Sequence, residues 1–193
     1  MTQRAIYLFV FLMSFTAAQA QDGYAVFGRT SFEEEVGSLS KNAEGNGFHF
    51  TLGQQIDDLV SIEGSYGKYD YDNYTRRIVW IPTDEAGIID ISGEAESMEL
   101  AMLMHRTNQL RNFAISPFLM IGYMQFDQTS AELRIVTDTI DDTEQGDRHE
   151  ETFFGFGVDF AFRDTPIGLR TSYKVVGGDI ETDFFHLGAR LNF

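Results

Sequence analysis

This 193-residue sequence lacks cysteine throughout and lacks long apolar runs after its first 20 residues. There is no cysteine at all, so no disulfide bond can hold the chain together. After residue 20, no continuous apolar stretch reaches the roughly 20 residues that a membrane-spanning helix requires. The sequence therefore predicts neither a disulfide framework nor a transmembrane helix.

Cations are scarce relative to anions. The chain has 14 Lys and Arg against 30 Asp and Glu, which gives a formal net charge of −16. Such acidity disfavours binding to nucleic-acid phosphates, so no nucleic-acid partner is expected. The acidity does not indicate disorder, because 43% of the residues are hydrophobic and 14% are aromatic. We expect a folded chain.

The N-terminus has the pattern of a secretory signal. Residues 1–4 are short and positive, residues 5–15 are almost wholly apolar, and an Ala-Gln-Ala motif ends at Ala20. We expect this signal peptide (residues 1–20) to be cleaved after Ala20, leaving residues 21–193 as one domain. An exported chain without disulfides needs another source of stability, and a closed hydrogen-bonded barrel supplies one.

The C-terminal stretch alternates strictly between apolar and polar or small residues. Its apolar positions are Phe185, Leu187, Ala189, Leu191 and Phe193. A period of two is typical of a strand with one apolar and one polar face. A final Phe is typical of the closing strand of a bacterial outer-membrane barrel. We therefore predict that Phe193 is an assembly signal read by the barrel assembly machinery.

Eight alternating segments occur in the mature chain, at residues 24–32, 48–54, 59–69, 98–105, 113–126, 154–162, 167–175 and 184–193. Short connections (55–58, 106–112 and 163–166) alternate with long ones (roughly 33–47, 70–93, 127–151 and 176–183). This order predicts an up-and-down antiparallel barrel with tight periplasmic turns and long outer loops. An even number of strands places both termini at the periplasmic end.

Three stretches carry a family resemblance: Pro117–Tyr123, Phe156–Phe160 and the Phe193 terminus. They resemble the small outer-membrane β-barrel family of OmpA-like and OmpX-like porin-family domains. The resemblance implies an all-β fold, an eight-stranded antiparallel up-and-down transmembrane β-barrel, in the outer membrane of a Gram-negative cell. It also implies a monomer whose partners are outer-membrane lipids and lipopolysaccharide.

The polar faces of the segments supply the candidate site. With the apolar faces against lipid, the charged residues that point into the barrel are Arg29, Glu63, Glu99, Asp159, Arg170, Lys174 and Arg190. In the first segment, this assignment puts Tyr24 and Val26 against lipid. An eight-stranded barrel is only wide enough for side chains to fill it, and buried charges are costly unless paired. We therefore predict a lumen ion-pair network that plugs the barrel, the alternative being a gated ion path.

The long connections hold most of the acidic residues. They are candidates for binding divalent cations, which could bridge to lipopolysaccharide phosphates, or they form a solvated, repulsive surface. The stretch Asp138–Glu144 has suitable oxygens but lacks the glycine and ligand spacing of an EF-hand, so no specific metal site is predicted. Two apolar stretches, Ile78–Ile81 and Leu133–Val136, predict that strands continue beyond the membrane as hairpins.

The function expected from the sequence is a structural or surface-interaction role like that of OmpX. A narrow porin-like channel for small solutes or ions is the alternative. A lipid A-modifying enzyme is disfavoured, because the four histidines are scattered and no Ser–His–acid set shares a face. A soluble lipocalin-like barrel is disfavoured by the outward aromatic residues. No catalytic residue, cofactor or metal is predicted.

Overall fold

The computed structural model describes residues 23–35, 43–71, 74–80, 85–136, 139–178 and 181–193. Its strands are β1 (Gly23–Glu35), β2 (Ala43–Gln55), β3 (Val60–Tyr71), β4 (Tyr74–Trp80), β5 (Glu85–His105), β6 (Asn108–Gln109), β7 (Phe113–Val136), β8 (Thr139–Phe162), β9 (Ile167–Gly177) and β10 (Glu181–Asn192). In these ranges no helix is long and apolar enough to cross a membrane. The predicted signal peptide lies outside the described residues.

Eight of the strands close into an all-antiparallel barrel. Each of β1, β2, β3, β5, β7, β8, β9 and β10 pairs with the next in this order. Pairing of β1 with β10 completes the ring, from Tyr24 opposite Asn192 to Glu35 opposite Glu181. The predicted eight-stranded barrel is therefore confirmed. The short strands β4 and β6 are additions that pair with β5 and β7.

The strands are tilted relative to the barrel axis. Cross-strand partners can be followed around the ring from Tyr69 on β3, through β2, β1, β10, β9, β8 and β7, to His105 on β5. The N–H of His105 donates to the carbonyl of Leu59, which immediately precedes β3. One circuit of the barrel therefore ends at Leu59, ten residues before Tyr69. Such a stagger belongs to a small barrel with strands tilted by about 35–45° and an interior that side chains fill.

One end of the barrel carries both termini and the short turns, and is called the turn end. In the β2–β3 turn, the N–H groups of Leu59 and Val60 donate to Asp57 Oδ1 at 2.7 and 2.8 Å. Asp164, in the turn between β8 and β9, has a φ of 60°. The N–H of Phe193 donates to the Gly23 carbonyl at 2.9 Å, so the first residue of β1 and the last residue of the chain meet here.

The opposite end, called the loop end, extends well past the length needed to cross a membrane. Strands β7 and β8 have 24 residues each and β5 has 21, whereas about 9–11 tilted residues span a bilayer. Strand β4 adds to the far part of β5, which makes a four-stranded sheet in the order β4–β5–β7–β8. The predicted hairpin extensions are confirmed for Leu133–Val136 and for Ile78–Trp80, whereas Ile81 lies outside the described residues.

The outer wall of the barrel is apolar and exposed. Phe27, Leu119, Phe156 and Leu187 are 54–61% exposed, and their neighbours along each strand are buried in the lumen. A continuous apolar surface of this kind indicates contact with lipid. The predicted outward positions on β7, β8, β9 and β10 are confirmed by this burial pattern.

The faces of β1 were assigned the wrong way round. Tyr24, Val26 and Thr30 are buried in the lumen, and Arg29 is exposed on the outer wall. The prediction that Arg29 belongs to the lumen network is therefore wrong. Both faces of β1 carry aromatic or aliphatic residues, so alternation alone does not identify its lipid face. Pairing decides it, because Arg29 lies opposite Phe48, an exposed residue of β2.

Candidate functional site

A group of four charged side chains fills the lumen near the turn end. The Arg170 guanidinium donates from Nε and Nη2 to the two oxygens of Asp159 at 2.6 and 2.7 Å, and from Nη1 to Glu63. Arg190 donates to the same Asp159 carboxylate. We call Glu63, Asp159, Arg170 and Arg190 the ion cluster. Bidentate Arg–carboxylate pairs are among the strongest charged contacts in proteins, which suits a buried group.

Two aromatic rings surround the ion cluster. The Arg170 guanidinium carbon lies 5.2 Å from the centroid of the Tyr24 ring and 4.8 Å from that of Phe118. Arg190 lies over the same Tyr24 ring at 3.8 Å. The Tyr24 hydroxyl donates to Glu63 Oε1 at 2.5 Å. Tyr24 therefore closes the cluster from one side with its ring and its hydroxyl, which explains why it faces inward.

A second ion pair lies further along the lumen. Lys174 Nζ is 2.6 Å from both oxygens of Glu99, and each side chain is only 5% exposed. The same ammonium lies 5.2 Å from the Phe153 ring centroid and 5.4 Å from that of Phe184. This pair marks the change from a charged to an aromatic filling.

Two histidines share a threonine hydroxyl between these layers. Thr30 Oγ1 is 3.0 Å from Nδ1 of His49 and 2.6 Å from Nδ1 of His186. A hydroxyl donates only one proton but can accept two hydrogen bonds, so at most one histidine accepts from Thr30 and at least one donates to it from Nδ1. His186 also stacks on Phe184, with centroids 6.1 Å apart.

Four rings block the lumen towards the loop end. Phe32, Tyr69, Phe126 and Phe184 are each 0–3% exposed, and we call them the aromatic plug. Five of their six pairs of centroids are 5.6–6.3 Å apart. The Tyr69 hydroxyl lies 3.0 Å from Ser97 Oγ. The alternating pattern of the sequence predicted a wholly polar lumen and therefore did not reveal this plug.

Glycines on the same strand or on a neighbouring strand make room for the inward rings. A Cβ would overlap the facing ring at Gly45 (Phe32), Gly53 (Tyr24), Gly67 (Tyr69), Gly122 (Phe153) and Gly157 (Phe118). Glycine within a strand often marks such a close approach. In the sequence, these glycines occupy inward-facing positions close to aromatic residues. This pattern is the signal that could have revealed the inward rings.

The structure brings together six of the seven predicted lumen residues. Glu63, Asp159, Arg170 and Arg190 form the ion cluster, and Glu99 pairs with Lys174. Three cations thus face three anions, and Arg29 lies outside this set. Phe193 pairs with Gly23 through its backbone, and its ring is 52% exposed on the outer wall. Its role as an assembly signal stays a prediction.

Potential metal ligands among the described residues are not clustered. Among these, no group of three or more His, Asp or Glu side chains is arranged to hold a metal ion. Within Asp138–Glu144, Asp138 is outside the described residues and the other side chains are likewise not described. Binding of divalent cations at the acidic loops therefore stays a prediction.

Comparisons with known proteins agree with this architecture. Ail of Yersinia pestis, solved in complex with the heparin analogue sucrose octasulfate, is similar with a TM-score of 0.56 and 14% identity, over 91% of this chain and 100% of that chain. Neisserial surface protein A has a TM-score of 0.56 and 13% identity, over 89% and 97%. The N-terminal β-barrel domain of Pseudomonas aeruginosa OprF has a TM-score of 0.52 and 16% identity, over 91% and 100%.

Such low identities show a shared fold alone. No curated protein gives a significant match. The family match is more extensive, because the chain matches the outer membrane protein beta-barrel domain over residues 5–193. The chain therefore belongs to the outer-membrane β-barrel protein family.

Proposed function

We propose that this barrel is a sealed outer-membrane protein with a structural or surface-interaction role, similar to that of OmpX, and that it does not transport solutes. The observation that carries this proposal is the double obstruction of the lumen. The ion cluster fills the turn end and the aromatic plug fills the loop end. The OmpX-like role and the seal go beyond what family membership establishes.

The contacts of the two obstructions support a permanent seal. Arg170 is held by two carboxylates and lies between two rings, and its side chain is only 4% exposed. Separating it from Asp159 would leave buried charges without partners, which is costly. The plug rings pack against one another, and Phe32 and Tyr69 also lie against strand glycines, so a ring that swings aside must displace its neighbours. A solute would have to displace both layers.

Conductance in a planar lipid bilayer tests the seal. The wild-type protein should give no unitary current steps. A variant with both obstructions reduced, combining Phe184→Ala with Arg170→Ala and Asp159→Ala, should conduct. Phe48→Ala, which removes an outward ring, should stay silent. Steps from the wild type would favour the narrow porin-like channel, and a silent opened variant would show that the seal lies elsewhere.

We also propose that the protein is not an enzyme. The described residues contain one Ser–His pair, Ser61 Oγ at 2.9 Å from His105 Nε2. Ser61 is 2% exposed, and no carboxylate is hydrogen-bonded to His105 within the described ranges. A buried serine beside a histidine without an orienting acid suits a structural role better than lipid A modification. Mass spectra of lipid A incubated with the protein should be unchanged. A mass shift that Ser61→Ala abolishes would show catalysis.

The outer surface favours cationic partners. Above the apolar wall, Glu33, Glu44, Asp70, Glu94 and Glu150 are all exposed. Carboxylates in these positions repel polyanions, in contrast to Ail, whose structure contains a heparin analogue. We therefore expect sucrose octasulfate not to bind in calorimetric titrations. Magnesium or calcium should raise the thermal stability more than sodium at equal ionic strength. Equal effects of the salts, or tight binding of the octasulfate, would contradict this view.

A further inference from the structure

The lipid-facing wall ends towards the loop end in tyrosines that contact carboxylates. The Tyr123 hydroxyl donates to Glu150 at 2.7 Å, and the Tyr173 hydroxyl donates to Asp183 at 2.5 Å. Aromatic residues with a polar tip lie at the boundary between acyl chains and headgroups. These pairs therefore locate the headgroup boundary on the outer wall.

A polar notch interrupts this boundary at strands β1 and β2. It consists of Arg29, Ser31 and Asn46, all of which are exposed on the outer wall. Phe185 is the cross-strand partner of both Tyr173 and Ser31. Because the strands are tilted, this row rises from β9 to β1, so Ser31 lies slightly further towards the loop end than Tyr173, and Arg29 lies two residues below Ser31. Ser31 in turn lies opposite Asn46.

Arg29 differs from two outward cations near the loop end whose side chains are described, Lys68 and Arg148. Lys68 pairs with Glu94 at 2.7 Å, and Arg148 pairs with Asp127 at 2.5 and 2.9 Å. For Arg29, no carboxylate lies within ion-pair distance among the side chains that the structure describes. A cation at the edge of an apolar wall is best placed next to an anion from the surroundings.

The chemistry of the notch identifies that anion. A guanidinium binds phosphate oxygens through two parallel N–H donors, and the Ser31 hydroxyl adds a further donor beside it. Phe48 and Leu187, the cross-strand partners of Arg29, present apolar surface at the same level, which suits an acyl chain. Glu33 and Glu44 lie opposite each other two residues beyond Ser31 and Asn46, so they repel an anion placed further out.

We propose that the notch of Arg29, Ser31 and Asn46 binds the phosphate monoester of a lipid in the outer leaflet. The phosphate lies against the Arg29 guanidinium, and the acyl chains lie along the apolar wall below it. This site depends on the position of the barrel in the outer membrane and not on the seal of its lumen. The conductance test therefore has no bearing on it.

The test uses the full-length folded protein in phosphatidylcholine bilayers with spin-labelled lipids. We expect spin-labelled phosphatidic acid to associate with the barrel about fivefold more strongly than spin-labelled phosphatidylcholine, the effect of one basic residue near an anionic lipid. Arg29→Gln should reduce the preference to that of phosphatidylcholine. Arg29→Lys should retain part of the preference for phosphatidic acid, because lysine keeps the positive charge but lacks the two parallel N–H donors of the guanidinium.

Lys68→Gln is the matched control, because it removes an outward cation that already has a carboxylate partner. It should leave the preference unchanged. Heat-modifiable gel mobility verifies that every variant is folded, and Arg29 contributes to no internal contact that folding needs. No preference in the wild type, retention in Arg29→Gln, or an equal loss in Lys68→Gln would overturn the proposal.

Discussion

The two halves of the lumen solve one packing problem with opposite chemistry. Near the turn end, two carboxylates hold Arg170 and one of them also holds Arg190, so the filling depends on matched charge. Near the loop end, the aromatic plug fills the same narrow space with rings that rest on glycines, so the filling depends on matched shape. The comparison teaches that a narrow barrel needs complementarity, and that charge pairing is only one way to achieve it. The two halves should therefore fail for different reasons when mutated.

The largest effect is expected in the ion cluster. Arg170→Leu leaves Glu63 and Asp159 buried with fewer partners and should lower the free energy of unfolding by about 3–5 kcal/mol. Urea titrations of the barrel in lipid vesicles measure this loss. Adding Glu63→Gln should restore part of it, because one uncompensated anion is then removed.

The neighbouring residue on the same strand provides the control. Leu169→Arg places a cation on the lipid face and should cost about 2–4 kcal/mol in the same titrations. Glu63→Gln should give no recovery in this background, because Leu169 points away from the cluster. Absence of coupling between Arg170 and both of its carboxylates in double-mutant cycles would refute the charge-matched half of the comparison.

A smaller effect is expected in the aromatic plug, where shape matters. Gly67→Ala adds a Cβ that overlaps the Tyr69 hydroxyl, and such overpacking typically costs about 1–3 kcal/mol. Gly177→Ala is the matched control, because no heavy atom lies within 4 Å of its added Cβ. Equal urea midpoints for the two variants would show that the rings tolerate overpacking and would remove the distinction between the halves.

The smallest effect is expected where the halves meet. Thr30→Val keeps the shape of the side chain and removes the hydroxyl that links His49 and His186. The loss should be about 0.5–1.5 kcal/mol, the net value of one hydrogen bond. The histidine nitrogens are 3.2 Å apart and can still bond to each other, which limits the cost. A loss as large as that of Arg170→Leu would place Thr30 within the charge-dependent half.

The sequence predicts correctly those features of the structure that depend on the residues of a single strand. On β9, Arg170 and Lys174 alternate with Leu169 and other apolar residues, so the inward face is evident from the strand alone. On β1 both faces hold apolar side chains, and the position of Arg29 follows only from its pairing with Phe48 and Leu187. That pairing depends on two other strands, which a single segment does not show.

The aromatic plug was not predicted for a related reason. Whether the Tyr69 ring fits inside the barrel depends on Gly67 and on rings from β1, β7 and β10. The sequence contains each residue, but only the closed barrel places them at one level. The family and the eight-stranded fold needed no such information, because alternation and connection lengths were enough.

The ion cluster also has a consequence for how the barrel assembles. Glu63 and Arg170 are separated by 107 residues, and Glu99 and Lys174 by 75, so neither pair exists within an isolated hairpin. Contacts this distant in sequence form late, because the intervening chain must first be ordered. Until the ring of strands closes, Glu63, Glu99 and Lys174 lack these partners in a surrounding that disfavours charge, whereas Arg170 already has Asp159 on the neighbouring strand. Partially closed barrels are therefore penalised, and we expect insertion to proceed as one cooperative step without stable open intermediates.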